Sequence, residues 1–365
     1  MTLRPLMAAA ALAALLAGCA TTEVDYQGEG EGFVGAGVAV QARLETPSVG
    51  TGGGEDAADD PAIWASPAPV TVNGRASPGF VAGTDKKAGL YIYGFDGQVL
   101  QFLPEGLLNN VDVTEGLTIN GGARVVLGAS DRTPGRTGIS LYAFDPAGTG
   151  ANGVRPWGYI PTDVVEPYGF CFARRGAEVH AILVGHEGEL RQYLLTADAA
   201  GRPSAREVRR AAIGTISEGC AADEATDALY INEENVGLWR YGLDPASGDR
   251  RALVQPVAAD RLVADAEGLT VLADGAARYL IASSQGDSTF PVWRIDGAAP
   301  VWIGRFKVVA GAVDGVTGTD GLAALGGAVG PFPEGVVVVQ DDVNDVGTQN
   351  FKYIDWRDIR AALGL

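Results

Sequence analysis

Residues 228–244 read ALYINEENVGLWRYGLD. The apolar run ALYI ends in the polar cluster NEEN, and a second run rich in aromatics follows and closes on Asp244. Two short apolar runs split by a few polar residues read as successive strands of an antiparallel hairpin. The layout recurs at GFVAGTDKKAGLYIYGFDG (79–97), RVVLGASDRTPGRTGISLYAFD (124–145), HAILVGHEGELRQYLL (180–195), YLIASSQGDSTFPVWRIDG (279–297) and GVVVVQDDVNDVGTQNFKYID (335–355). Upstream of each stands a polar residue leading into another apolar strand. These are Asp60-Pro61-Ala62, Glu115-Gly116-Leu117, Tyr168-Gly169-Phe170, Glu218-Gly219-Cys220, Glu267-Gly268-Leu269 and Asp320-Gly321-Leu322. Subtraction gives steps of 55, 53, 50, 49 and 53 residues. Such a period is one four-stranded unit per step, and helical periodicity is nearly absent until WRDIRAAL at 356–363. The expected fold is all-β, a six-bladed β-propeller with four-stranded antiparallel blades over residues 36–365.

In such a blade the first strand lines the central channel, and its start lies at the same end as the close of the second strand. The acids therefore converge on one face: Asp59, Asp60, Glu218, Glu233, Asp265, Glu267, Asp314, Asp320 and Asp341. Glycine beside each acid suits close approach of neighbouring backbones. The stretch EDAADD at 55–60 adds Glu55 and Asp56 to the crowd. Like charges about 4 Å apart repel by about 1 kcal/mol in water and by several at an effective dielectric near 20. A ring of this kind must protonate or bind cations. Hard oxygen donors in loose geometry favour Ca²⁺ over Mg²⁺. With His180 and His186 the only histidines, a histidine-based zinc site is not expected. Four basic residues, Lys86, Lys87, Arg132 and His186, fall in or just after polar clusters on the same face. Beside bound cations they suit a phosphate-rich substrate, with ordinary salt bridges as the alternative. There is no Gly-x-Ser-x-Gly elbow to support a nucleophilic hydrolase.

A formal charge of -18 argues against a basic nucleic-acid interface. Residues 1–18 have the layout of an export signal: Arg4, an apolar run, then Leu16-Ala17-Gly18 before Cys19. That ending resembles a bacterial lipobox, so lipidation of Cys19 is expected, with ordinary signal cleavage as the alternative. Residues 19–35 are polar and Gly-rich and read as a tether. The expected destination is the outer membrane or cell surface, otherwise the periplasm or medium, and a monomer is expected. Cys171 and Cys220 remain; export permits a disulfide, and two buried thiols are the alternative. Strand alternation lets them face each other from neighbouring blades.

The motifs DDPAIW, GTDKKAGLYIY, LNNVDV, PYGFCF, GHEGELRQY, SEGCAADE, LYINEENVGLWR, DAEGLT, LIASSQGD, TDGL and QNFKYIDW, in this order from about residue 45 to 360, resemble the β-propeller phytases, the calcium-dependent alkaline class. The resemblance implies hydrolysis of calcium phytate, the salt of myo-inositol hexakisphosphate, by direct attack of a bridging water without a phosphoenzyme. It implies calcium ligands at Asp59, Asp60, Tyr168, Glu218, Glu233, Asp265, Glu267, Asp314 and Asp320, joined by Glu45. The catalytic set would be Glu218, Glu233, Tyr168, Arg132 and Lys86, and the phosphate-binding set Lys86, Lys87, Arg132, Tyr168 and His186. The chain departs from the family pattern at several positions. Where the family has lysine stands His186, an imidazole and so charged only below roughly pH 6.5. Gly318 replaces an aspartate and Asp131 an asparagine, and Asp112 competes with Glu115 as the second-blade element. Two other readings are a calcium-dependent propeller lactone hydrolase, which leaves Lys86-Lys87 unexplained, and a non-catalytic lipoprotein that captures phosphate esters.

Overall fold

The computed structural model describes residues 33–50 and 56–365. The expected export signal, Cys19, most of the expected tether and Glu55 lie outside the described residues. Six sheets surround a central axis. Blade 1 runs from Ala58–Val72 through Arg75–Asp85 and Gly89–Tyr93 to Val99–Leu103, and blade 2 from Leu108–Ile119 through Gly122–Thr133 and Arg136–Phe144 to Arg155–Pro161. The inner strands of blades 3, 4, 5 and 6 are Pro167–Arg175, Ser217–Asp223, Ala266–Asp274 and Leu322–Gly326. Blade 6 takes its outermost strand from the N-terminus, Leu44–Glu45, paired antiparallel to Asn350–Asp355. That pairing closes the ring. Blade 5 carries an additional fifth strand, Val38–Gln41, parallel to Val301–Val309. The expected six blades are present, and the two N-terminal strands are what the internal repeat cannot show.

The second strand of each blade is covered on both faces, which is why Gly335–Asp341 reads as an unbroken GVVVVQD and is buried throughout. The core lies between blades: Trp64 and Phe80 of blade 1 pack on Phe144 of blade 2, with centroids 5.6 and 5.5 Å away. Between blades 3 and 4, Cys171 and Cys220 form a disulfide with Cα atoms 5.8 Å apart. The helix Trp356–Leu363 is capped by the Asp355 side chain and seats Trp356 on Asp274, whose Oδ2 accepts from the indole nitrogen at 3.0 Å.

Each inner strand of blades 1 to 5 breaks register near its start, between Ala58 and Pro61, Leu108 and Val111, Pro167 and Phe170, Ser217 and Cys220, and Ala266 and Leu269. Such a bulge re-aims the residues it contains. The re-aimed pairs are Asp59-Asp60, Asn109-Asn110, Tyr168-Gly169, Glu218-Gly219 and Glu267-Gly268, with Asp320-Gly321 just ahead of the blade 6 strand. The second-blade element is thus Asn109-Asn110, which corrects both Glu115 and Asp112. Glu115 is exposed further along the strand and accepts from the Trp64 indole at 2.7 Å. Asp112 accepts from the backbone nitrogens of Val113 and Phe172, both at 2.7 Å.

The glycines of these pairs have a steric cause. A Cβ at Gly169 would meet the Glu218 carbonyl oxygen at 1.8 Å, one at Gly219 the Glu267 carbonyl at 2.1 Å, and one at Gly321 the Asp59 carbonyl at 2.6 Å. Each blade's site residue presses its backbone on the preceding blade's glycine. Gly219→Ala is expected to destabilise by about 3 kcal/mol, the upper range for overpacking in a dense interior. Denaturant unfolding measures it, and an unchanged midpoint would contradict the close approach.

Candidate active site

The bulges deliver their side chains to the channel mouth. Glu218, Glu234 and Glu267 are buried, and each places one carboxylate oxygen within 4.8 Å of the others. Asp59 and Asp320 join them through the Lys86 ammonium, which lies 3.0 Å from Asp59 and 3.1 Å from Asp320, with the more exposed Asp56 at 2.6 Å. Asp60 stands behind, its Oδ2 accepting from the Val111 backbone at 3.1 Å. Asn109 of blade 2 donates to Glu218 at 2.8 Å. Gln285 donates to Asp320, and Gln340 accepts from the Asp320 backbone nitrogen at 2.7 Å. Asp265 is half-buried at the rim, hydrogen-bonded to Asn235.

Burial and mutual repulsion set the electrostatics. Burial raises the Glu218 carboxyl well above the usual range, and Asp59 and Glu267 add to it. Glu267 is raised by burial and by Glu234, and Asp60 by burial and by Asp59. Burial pushes Glu234 up to about 9, helped by Glu218, and Asp320 up to about 7, although Lys86 opposes it. Burial pulls the Lys86 ammonium down, but Asp320, Asp59, Asp56 and Glu218 more than offset this and hold it well above its ordinary value. The Tyr168 phenol is driven far up by the Glu218 charge, burial and Glu267, and so stays neutral.

Buried oxygens without hydrogen-bond partners are costly and uncommon. Here they cluster: Asp59 Oδ2, Glu234 Oε1, Glu267 Oε2 and Asn109 Oδ1. An all-oxygen donor set with spare acceptor capacity fits a hard divalent cation such as Ca²⁺, and the residues present therefore suit the ion implied by the sequence.

Several expected site residues lie elsewhere. Glu233 is buried off the axis: Oε1 accepts from the Thr215 nitrogen and hydroxyl at 2.9 and 2.8 Å, and Oε2 from the Trp239 indole at 2.8 Å, with Arg251 at 3.7 Å. Its neighbour Glu234 faces the site instead. Successive residues of an extended chain point to opposite sides, so a one-residue offset exchanges their roles. Glu45 and Asp314 form a separate centre with Asp341 around the fully buried Lys352, whose ammonium lies 2.6 Å from Glu45 and 3.2 Å from Asp341 and also binds Asp314. That centre carries its own internal cation.

The bases come from blades 1, 2 and 3. Lys86 and exposed Lys87 follow the second strand of blade 1, Arg132 lies near the end of that of blade 2, and His186 follows that of blade 3. Arg132 is 3.4 Å from Glu166, and His186 is 3.0 Å from Glu187 and meets the Tyr168 ring edge-on with centroids 5.1 Å apart. The acids come from blades 1, 4, 5 and 6. Lys86 is thus buried within the acidic cluster, while Lys87, Arg132 and His186 are the more exposed bases.

Fold and site define a class, a six-bladed propeller with a polar centre on its axis to which every blade contributes. A family profile described as Phytase matches residues 5–365. The 3-phytase of Bacillus subtilis (strain 168) is 34% identical over 335 residues, covering 89% of this chain and 85% of that one. The chain belongs to the phytase family and is a phosphoric monoester hydrolase. Solved structures give more distant likenesses. The SapL1 lectin in complex with alpha methyl fucoside has a TM-score of 0.47 at 15% identity, covering 82% of this chain and 95% of that one. The PQQ-bound aldose sugar dehydrogenase of Streptomyces coelicolor has 0.46 at 11%, covering 86% and 97%. At that distance the likeness bears on neither ligand nor chemistry.

Proposed function

We propose that this chain hydrolyses phytate, releasing inorganic phosphate and lower inositol phosphates in a calcium-dependent reaction. The observation that carries the reading is the cluster of unpartnered buried carboxylate oxygens, with the Lys86 ammonium among the acids. Asp59, Asp60, Glu218, Glu234, Asp265, Glu267 and Asp320 would hold the ions. Bound calcium supplies Lewis acidity and positive charge toward phosphate oxygens. Lys86, Lys87, Arg132 and His186 would grip the outer oxygens of neighbouring phosphates, a task suited to charge-assisted hydrogen bonds. The neutral Tyr168 phenol would donate a hydrogen bond to the same group. The test is phosphate release from phytate with calcium, and again after chelation, across about pH 5 to 9. No calcium-dependent release would sink this reading.

His186→Lys is expected to lower KM for phytate severalfold above neutral pH, because lysine stays charged where an imidazole does not. An unchanged pH profile would show that residue 186 does not touch phosphate. We further propose that residues 1–18 direct export and that Cys19 carries a lipid. Mass spectrometry of the mature N-terminus tests both. Among the described residues no helix is long and apolar enough to cross a membrane.

A further inference from the structure

We propose that the Cys171–Cys220 disulfide is a positioning element for the ion-binding cluster, fixing the strand that carries Glu218 against blade 3 at the mouth of the seam between blades 3 and 4. The inference rests on the calcium reading above. Cys171 lies three residues beyond Tyr168 and Cys220 two beyond Glu218, on inner strands that touch where Gly169 meets the Glu218 carbonyl.

At the other seams hydrogen bonds join inner strands or their approaches. Val111 N donates to Asp60 at 3.1 Å between blades 1 and 2, and Phe172 N to Asp112 at 2.7 Å between blades 2 and 3. Between blades 4 and 5, Ala266 N donates to the Glu234 carbonyl at 3.0 Å. Gly268 N donates to the Asp320 carbonyl at 3.2 Å and Gly321 N to that of Asp59 at 3.0 Å, completing the ring. Between the inner strands of blades 3 and 4 the polar contacts among the described residues gather at the far end, from Arg174 to Glu224 and from Arg175 to Asp227. Near the mouth the covalent bond stands in their place. It matters there because Glu218 has to hold its place beside Glu234 and Glu267, whose carboxylate oxygens lie within 4.8 Å of one another. The sulfurs sit in an apolar cluster with Ile182, Val184, Ile213 and Leu229, which shields them from solvent.

The test is calorimetric calcium titration of the wild type and of the Cys171→Ala/Cys220→Ala variant, with kcat and KM measured at saturating calcium. The half-saturating calcium concentration should rise about tenfold, the lower end of what loss of supporting groups around a metal costs. Activity should return toward wild type once calcium saturates. Should the variant not fold, wild-type protein reduced under native conditions and thiol-trapped makes the same comparison. A variant that unfolds at lower temperature yet binds calcium as tightly as wild type overturns the inference while leaving the calcium reading intact. A wild type that takes up no calcium overturns both.

Discussion

Glu218→Gln is expected to lower kcat/KM for phytate at least about a hundredfold while the propeller stays folded, since groups that merely support a metal ligand already cost ten- to a hundredfold when lost. Glu218 sits at the crossing of both networks: Asn109 donates to one of its oxygens, and it lies among Glu234, Glu267 and the Lys86 group. Glutamine keeps the shape and can still accept from Asn109, so the loss would report charge and oxygen-donor strength rather than packing. Removing one buried like charge should leave the ion-free protein no less stable than wild type. Circular dichroism and thermal unfolding in chelator check that half. Full activity would mean that the cluster is structural.

The same experiment at the adjacent pair separates two neighbours. Glu234→Gln should resemble Glu218→Gln, whereas Glu233→Gln should cost stability through Thr215 and Trp239 and leave most of the activity. The motif INEEN carries two acids in a row, and nothing in composition says which one the strand end turns inward. The same ambiguity misplaced the second-blade element. Glu115-Gly116 mimics the acid-glycine pairs of the other blades and lies in a second bulge further along the strand, but the bulge near the strand start is Asn109-Asn110, where amides replace acids. The blades themselves were legible, because a buried second strand forces an unbroken apolar run and a hairpin forces turn residues. Ring closure was not, since Leu44–Glu45 pairs with a strand at the opposite end of the chain. For that reason too the separation of Glu45 and Asp314 from the axial cluster could not be read. It depends on Lys352, which lies 307 residues from Glu45.

Chelation should leave a folded but weakened protein whose thermal midpoint falls as pH rises, the reverse of ordinary acid denaturation. The ion-free carboxyls have folded-state affinities for protons above their unfolded ones, with Asp320 at about 7 and Glu234 at about 9. The native state then binds more protons than the unfolded chain, so stability drops with increasing pH from about 4 through about 9. Below about pH 4 the trend inverts, because Asp296, drawn down to about 2 by Arg294, loses its pairing when protonated. Maximum stability without calcium therefore lies in mildly acidic solution. Calcium held by these carboxylates should reverse the slope, because it would compete with protons for the same oxygens and bind better as they ionise. Each ion at a hundredfold excess over its Kd contributes about 2.7 kcal/mol, on the order of 5 °C in a domain of this size. The two curves should thus converge at low pH and separate widely above neutrality, with proton release on calcium binding visible in buffers of different ionisation enthalpy. Parallel curves would mean that the ions bind away from Glu234 and Asp320, and the axial cluster would then need another counter-charge than the one its empty lone pairs point to.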